Sequence, residues 1–236
     1  AALPLRLVPA LSDAARRIAD GSEGQAATRA AGYRATRFVQ INLSGFAGVP
    51  AIAQAVRARY CQAITDPALT DLGVHRRGNA SWVLLAQPFS PPAMGHAQEV
   101  AMAVLERVNQ ARSQPRRCGQ QSFAPAPPLQ LAPGLQRAAE LHARDMARGG
   151  FMAHEGSDGS SASDRADRVG YDWRTVGENV AAGPETAEQV VQGWLRSPDH
   201  CANIMQPAFT EMGLAFAVNE RSPMGIYWAQ VFGRPR

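Results

Sequence analysis

The chain has 236 residues, of which 45% are hydrophobic and 19% charged, and its formal net charge is +4. This length suits one large domain or two small ones, and the apolar content supports a buried core, which excludes a chain that is disordered throughout. No apolar run approaches the roughly 20 residues of a membrane-spanning helix. All 24 basic residues are arginine, which excludes lysine-dependent chemistry such as Schiff-base formation. The arginines are scattered along the chain, so no nucleic-acid partner is expected.

A proline-rich stretch divides the chain. Residues 88–96 contain three prolines and a glycine, a composition typical of a linker. We therefore expect a first domain over residues 1–90, a linker over 91–98 and a second domain over 99–236.

The second domain carries the clearer secondary-structure signals. Apolar residues at helical spacing predict three helices, the last broken near Ser197-Pro198: 99–114, 134–150 and 185–205. Two alternating runs, 213–219 and 225–233, predict a pair of strands joined by a hairpin turn.

The first domain repeats parts of the second in the same order. The matching pairs are 4–15 with 128–139, Gly32-Tyr33 with Gly170-Tyr171, 61–73 with 201–213, and Gln87 and Phe89 with Gln230 and Phe232. We interpret the chain as two tandem copies of one fold, of which the first is shortened.

The cysteine content and the first residue bear on the compartment. Three cysteines are present, and they are either three buried thiols or one disulfide plus a free thiol in an exported protein. The chain begins at Ala1 rather than Met, which is typical of a mature or trimmed chain from which any signal peptide has already been removed.

Seven segments of the second domain, taken in order, resemble the CAP superfamily of cysteine-rich secretory proteins, antigen 5 and pathogenesis-related proteins, and in particular its bacterial SCP-like extracellular members. They are LERVNQAR (105–112), AELHARDMA (139–147), FMAHEGSDG (151–159), DRVGY (167–171), GENVAAG (177–183), GWLRSPDHCANIMQPAFTEMG (193–213) and YWAQVFG (227–233). The resemblance implies an α+β fold, an α-β-α sandwich, and a secreted or periplasmic location.

The resemblance also implies a cleft of histidines and glutamates, and it places His154, Glu178 and His200 there. Two imidazoles facing one space can hold a divalent metal such as zinc, so His154 and His200 are candidate metal ligands. The same three residues are candidate catalytic residues, as acid, base and orienting group in hydrolysis.

The sequence departs from the family pattern at the remaining cleft positions. Ser197 stands where eukaryotic members have a glutamate, and Ala208-Phe209-Thr210-Glu211 replaces a His-Tyr-Thr-Gln block. Glu211 is a distant fourth candidate for the cleft, and we interpret His142 as a packing residue.

Bacterial relatives imply a disulfide between Cys118 and Cys201, which leaves Cys61 without a partner. In the first domain VQINLSG (39–45) stands in the place of GENVAAG (177–183), and the loop that carries His154 has no counterpart. We therefore expect a degenerate CAP-like domain that folds but lacks the cleft residues.

Three functions remain open. The first is a non-catalytic extracellular module that binds another protein or a small extracellular ligand. The second is a metal-assisted, protease-like hydrolase, which lacks an evident nucleophile because no Gly-x-Ser-x-Gly elbow occurs. The third is lipid or sterol binding, as some family members imply.

Overall fold

The chain consists of two compact units in the computed structural model, which describes residues 4–46 and 48–236. Unit 1 extends to Ser90 and unit 2 begins at Pro91. The first helix of unit 2 begins at Ala97, after a short 3-10 turn over Met94–His96, so ordered structure starts inside the segment interpreted as a linker.

Unit 1 is a four-stranded sheet with three helices. Its elements are β1 (Arg6–Leu7), α1 (Pro9–Ala19), α2 (Gly24–Ala30), β2 (Ala35–Ser44), α3 (Gly48–Ile64), β3 (Asp71–Arg77) and β4 (Ala80–Pro88). Helix α1 begins with a proline at its first position, where the missing N–H has no helical partner to lose.

Unit 2 has five helices and six strands. Its elements are α4 (Ala97–Arg112), β5 (Arg116–Cys118), β6 (Gln121–Phe123), β7 (Gln130–Leu131), α5 (Pro133–Gly149), α6 (Ala162–Arg168), β8 (Trp173–Ala182), α7 (Ala187–Arg196), α8 (Pro198–Met205), β9 (Glu211–Asn219) and β10 (Gly225–Pro235). Strands β5 and β6 form a separate two-stranded ribbon.

The four-stranded sheets of the two units have the same topology. The strand order is β1-β3-β4-β2 in unit 1 and β7-β9-β10-β8 in unit 2, and in each sheet the short first strand is parallel to its neighbour. A glycine lets a helix approach each sheet closely. A Cβ on Gly73 would lie 2.3 Å from the carbonyl carbon of Leu11, and one on Gly213 would lie 2.1 Å from that of Leu135.

The strand register corrects one pair of sequence matches. Gly73 pairs with Leu84 and Gly213 pairs with Val231, so an alignment of the two glycines places Leu84 opposite Val231. Gln87 is therefore not at the position of Gln230. The difference arises because the β3–β4 hairpin turns after Arg77, four residues beyond Gly73, whereas the β9–β10 hairpin extends six residues beyond Gly213 to Asn219.

Unit 2 is a three-layer α-β-α sandwich. Helix α5 packs on β9 and β10, and its apolar residues share one core cluster with Ala215, Ala217 and Ala229 of those strands. The alternate residues of β9, Met212, Leu214 and Phe216, point to the other face. Helix α4 packs there, alongside α7 and α8.

A buried arginine ties three segments of that second layer together. Arg112, at the end of α4, is fully buried and donates hydrogen bonds to the carbonyl oxygens of Pro127, Ile204, Gln206 and Phe209. Burial lowers the pKa of its guanidinium to about 10. The four carbonyl groups therefore satisfy a charge that has no carboxylate partner among the described residues.

The disulfide expected from the resemblance is present. Cys118 of β5 is bonded to Cys201 of α8, with their Cα atoms 5.5 Å apart, and Cys61 is a free, exposed thiol on α3. The bond fixes α8 to the β5–β6 ribbon. Among the described residues, no helix combines the length and the apolar character needed to cross a membrane.

Candidate functional site

The site is centred on a buried carboxylate of an edge strand. Glu178 lies on β8, where it pairs in register with Val231 of β10. Its side chain is only 3% exposed, and its Oε2 accepts a hydrogen bond of 2.6 Å from Arg165 Nη2, whose side chain is equally buried. Removal from water is costly for each ion, and the pair offsets that cost through its short hydrogen bond, although the buried Arg165 Nε has no hydrogen-bond partner among the described residues.

Arg165 makes two further contacts that shape the site. Its Nη2 donates to the carbonyl oxygen of His154 at 3.0 Å, and its Nη1 donates to the carbonyl oxygen of Ser160 at 2.6 Å. Helix α6, which carries Arg165, begins with a capping box in which Ser161 and Asp164 bond each other's backbone N–H groups. A short, well-capped helix thus holds both Glu178 and the loop that bears His154.

His154 is bonded to the other oxygen of the same carboxylate. Its Nδ1 lies 2.9 Å from Glu178 Oε1 and must be the donor, since an ionised carboxylate only accepts. The hydrogen bond to Glu178 raises the pKa of His154, against the opposing effects of burial and Arg165. Because the imidazole is 61% exposed, Nε2 remains available to a ligand.

His142 borders the site from beneath. It is completely buried on α5, and its Nε2 donates to the carbonyl oxygen of Ala153 at 2.8 Å while lying 3.8 Å from Glu178 Oε1. Burial lowers the pKa of His142 and so favours its neutral ring. The packing role inferred from the sequence is compatible with this position, but the ring also fixes the residue before His154.

His200 approaches from α8. Its carbonyl oxygen accepts a hydrogen bond of 3.2 Å from Asn179, and Asn203 on the same helix donates to the Glu178 carbonyl at 3.1 Å. Burial lowers the pKa of His200, and the charge of His154 lowers it further. The helix is therefore tethered beside β8, with the His200 ring within electrostatic range of His154.

Glu211 is engaged elsewhere. Its Oε2 accepts a hydrogen bond of 2.7 Å from the Tyr171 hydroxyl, and no bond between described residues links it to His154, Glu178 or His200. The Ser157 hydroxyl, in the loop after His154, donates a hydrogen bond of 2.6 Å to Asp145 Oδ1.

Metal binding has limited support from side-chain positions. Within residues 4–46 and 48–236, no three or more histidine, cysteine, aspartate or glutamate side chains are grouped so that they could hold a metal ion. His154 and His200 would need water or ligand atoms to complete a shell. The carboxylate-bound Nδ1 of His154 is nevertheless the usual support of a metal-binding imidazole.

Arg165 and the contact of His142 with Glu178 were missed by the sequence reasoning. The available signal for Arg165 was chemical: a glutamate directly before an apolar run needs a cationic or N–H partner if it is buried. The sequence offers many arginines, however, and nothing in its pattern singles out the one on α6.

A second concavity lies between α4 and α7. Its volume is about 600 Å³, and its lining is mainly polar, including Glu106, Arg107, Gln110, Arg116, Glu188 and Gln192. This lining does not favour a lipid chain.

A three-layer sandwich, an edge-strand glutamate bonded to a loop histidine, and one disulfide-linked helix together define unit 2 as an SCP-type domain. The model of the cysteine-rich secretory protein family (CAP) matches residues 105–232, and the chain belongs to this family.

Individual relatives match part of the chain. "Uncharacterized protein YkwD" of Bacillus subtilis (strain 168) is 32% identical over 105 residues, which are 44% of this chain and 39% of that protein. An extracellular protein containing an SCP domain from Bacillus anthracis str. Ames shares the fold with a TM-score of 0.51 and 20% identity, over 66% of this chain and 52% of that one. An outer surface protein from Borrelia burgdorferi gives a TM-score of 0.47 at 16% identity, over 59% of this chain and 92% of that one. The chain thus spans about half or less of the first two proteins.

Proposed function

We propose that this protein is an extracellular binding module and that the cleft of unit 2 binds a ligand through His154 and His200 without catalysing its hydrolysis. The observation that carries the proposal is the engagement of Glu178. One oxygen of its carboxylate accepts from Arg165 and the other from His154, and the side chain is buried. A carboxylate held in this way orients an imidazole but is not free to activate water.

The charge at the cleft favours an anionic group on the ligand. The raised pKa of His154 keeps a larger fraction of its ring protonated near neutral pH, and its exposed Nε2 is then a charged donor. A carboxylate or phosphate of a peptide or small molecule fits this donor. Binding of such an anion would also raise the pKa of His200, so the protonation of both rings would increase together.

A metal-assisted hydrolase is the second candidate. It is favoured by the Glu178–His154 hydrogen bond, which leaves Nε2 oriented as a metal ligand. In that case His154 and His200 would bind zinc, and Glu178 would act through His154.

We further propose that unit 1 is a reduced copy of the same fold. Counting from the equivalent glycines, strands and helices, Ile18 occupies the position of His142, Ala27 that of Arg165, and Gln40 that of Glu178. All three ionisable residues are replaced by neutral ones, so unit 1 retains the framework without the charged network.

The test is an NMR titration of the histidine ring signals with acetate and with inorganic phosphate, the simplest carboxylate and phosphate probes. We expect saturable shifts of His154 and His200 together, with no shift of His96, an exposed histidine of the same unit bonded to Glu99. Absence of any shift at His154 and His200 contradicts the proposal. Saturable zinc binding that is lost in both His154→Ala and His200→Ala, without a response to the anions, supports the metal-dependent alternative instead.

A further inference from the structure

One face of the unit 1 sheet is only partly covered. Leu7 and Leu72 pair across β1 and β3, so they point to the same side, and Val74 and Arg76 follow Leu72 on that side at two-residue intervals. We call these four residues the β3 row. Leu7 is 64% exposed and Val74 42% exposed, which is unusual for apolar residues of a sheet.

Most of the equivalent row of unit 2 is buried, and Leu131, which pairs with Met212 as Leu7 pairs with Leu72, is half-buried. Gly73 and Gly213 are equivalent, so Leu72, Val74 and Arg76 occupy the positions of Met212, Leu214 and Phe216. Those three residues are at most 3% exposed, because α4 packs on β9. Asn109 of α4 also bonds both the N–H and the carbonyl oxygen of Leu129, immediately before β7.

No helix among the described residues of unit 1 takes the place of α4. Helix α3 packs over the other half of the face, where Ile52 and Val56 contact a cluster that includes Ile41 and Leu43 of β2. Leu5 and Leu72 also pack against this cluster, whereas Leu7 and Val74 of β1 and β3 remain exposed. In unit 2 the corresponding face is covered by α4, so an amphipathic helix is the element that fits such a face.

Charge adds a second requirement for the occupant. Residues 1–90 contain ten arginines and five acidic residues, whereas residues 91–236 contain fourteen arginines and fifteen acidic residues. The five acidic side chains of unit 1 are all engaged: Asp13, Asp20, Asp66 and Asp71 in ion pairs with arginines, and Glu23 as the cap of α2. Arg76 is exposed and bonds only the Gly78 carbonyl oxygen among the described residues.

We propose that the β3 row is a docking site for an amphipathic helix of a partner protein, which lies over β1 and β3 as α4 lies over β7 and β9. Its apolar stripe covers Leu7 and Val74, and an acidic residue near its N-terminus meets Arg76. The polarity follows from unit 2, where the C-terminal Arg112 of α4 contacts Phe209, just before β9, so that the helix N-terminus points toward Phe216.

The experiment uses the full chain and a blocked, fluorescently labelled peptide with the α4 sequence, residues 97–112, followed by anisotropy. We expect saturable binding that weakens at least ten-fold in Val74→Asp. The matched control is Val49→Asp, a more exposed valine of the same unit at the start of α3, which should bind as the unmodified protein does. A peptide carrying Gln98→Glu should bind several-fold more tightly, and Arg76→Glu should abolish that gain.

Three outcomes would overturn the proposal. The first is no saturable binding of either peptide, and the second is equal binding by Val74→Asp and by the unmodified chain. The third is self-association of the chain that sedimentation detects and Val74→Asp abolishes, because the occupant is then a second copy. The NMR ring signals of His154 and His200 do not depend on any of these three outcomes. Failure of the docking proposal is therefore distinguishable from failure of the cleft proposal.

Discussion

Glu178 is the residue on which the cleft depends, because it bonds a buried guanidinium with one oxygen and an exposed imidazole with the other. The two partners respond differently to its loss. Arg165 would be left as a buried charge without a counter-ion, whereas His154 can turn to water.

The variant Glu178→Gln should therefore change both stability and titration. We expect unfolding free energy to fall by about 3–5 kcal/mol, as when one partner of a buried pair is removed. We also expect the pKa of His154 to fall, since the Glu178 hydrogen bond is the main cause that raises it. Urea denaturation and NMR titration measure the two effects, and Glu155→Gln, an exposed neighbour of His154, is the control.

The sign of the pH dependence follows from the raised pKa. In the native chain His154 binds its proton more tightly than in the unfolded chain, so its stabilisation is complete below about pH 6.5 and is lost as pH rises through the folded pKa. Glu178→Gln should flatten the stability profile in that window. An unchanged His154 pKa in this variant would contradict the assigned hydrogen bond.

Among the elements, α8 is held chiefly by tertiary bonds. Its eight residues carry His200, Cys201 and Asn203, which bond β8 or the β5–β6 ribbon. An isolated helix of this length is unstable in water, so its position depends on these contacts.

Reduction of the disulfide should accordingly weaken unit 2. The bond links residues 83 positions apart. Closing a loop of that size removes about 4–5 kcal/mol of unfolded-state entropy in the chain-entropy model. We expect the double variant Cys118→Ser/Cys201→Ser to lose most of that stability in chemical denaturation, and Cys61→Ser to lose none. Equal stability of the double variant and the native chain would show that the other contacts of α8 suffice.

At the scale of the elements, the sequence predicts helices and strands well where a single hydrophobic periodicity dominates the segment. The predicted helix 134–150 is α5 at 133–149, and the predicted break near Ser197-Pro198 separates α7 from α8. Strand β8 was not predicted, because its glycine, glutamate and asparagine interrupt the alternation that marks strands. Their polar groups are satisfied by Arg165, His154 and α8, and these are long-range contacts that no local pattern encodes.

At the scale of the whole molecule, the equivalent topology of the two sheets rests on close helix–sheet contacts. Gly73→Ala and Gly213→Ala each place a Cβ within 2.3 Å of helix backbone atoms, which cannot move like a side chain. We expect each substitution to cost at least about 2 kcal/mol in its own unit, within the range for overpacking. Denaturation followed by probes in each unit measures this, and the control is Gly193→Ala inside α7, where a Cβ meets nothing within 4 Å and alanine should stabilise the helix slightly. Tolerance of both substitutions would show that these contacts are not essential.

The free thiol of Cys61 gives experimenters a convenient handle. Because the other two cysteines are joined in a disulfide, a maleimide dye or spin label should attach at a single position, on the exposed side of α3. The same accessibility means that concentrated samples stored in air will accumulate covalently cross-linked pairs through this thiol, and a mild reductant or a serine in its place removes that artefact before any measurement of self-association.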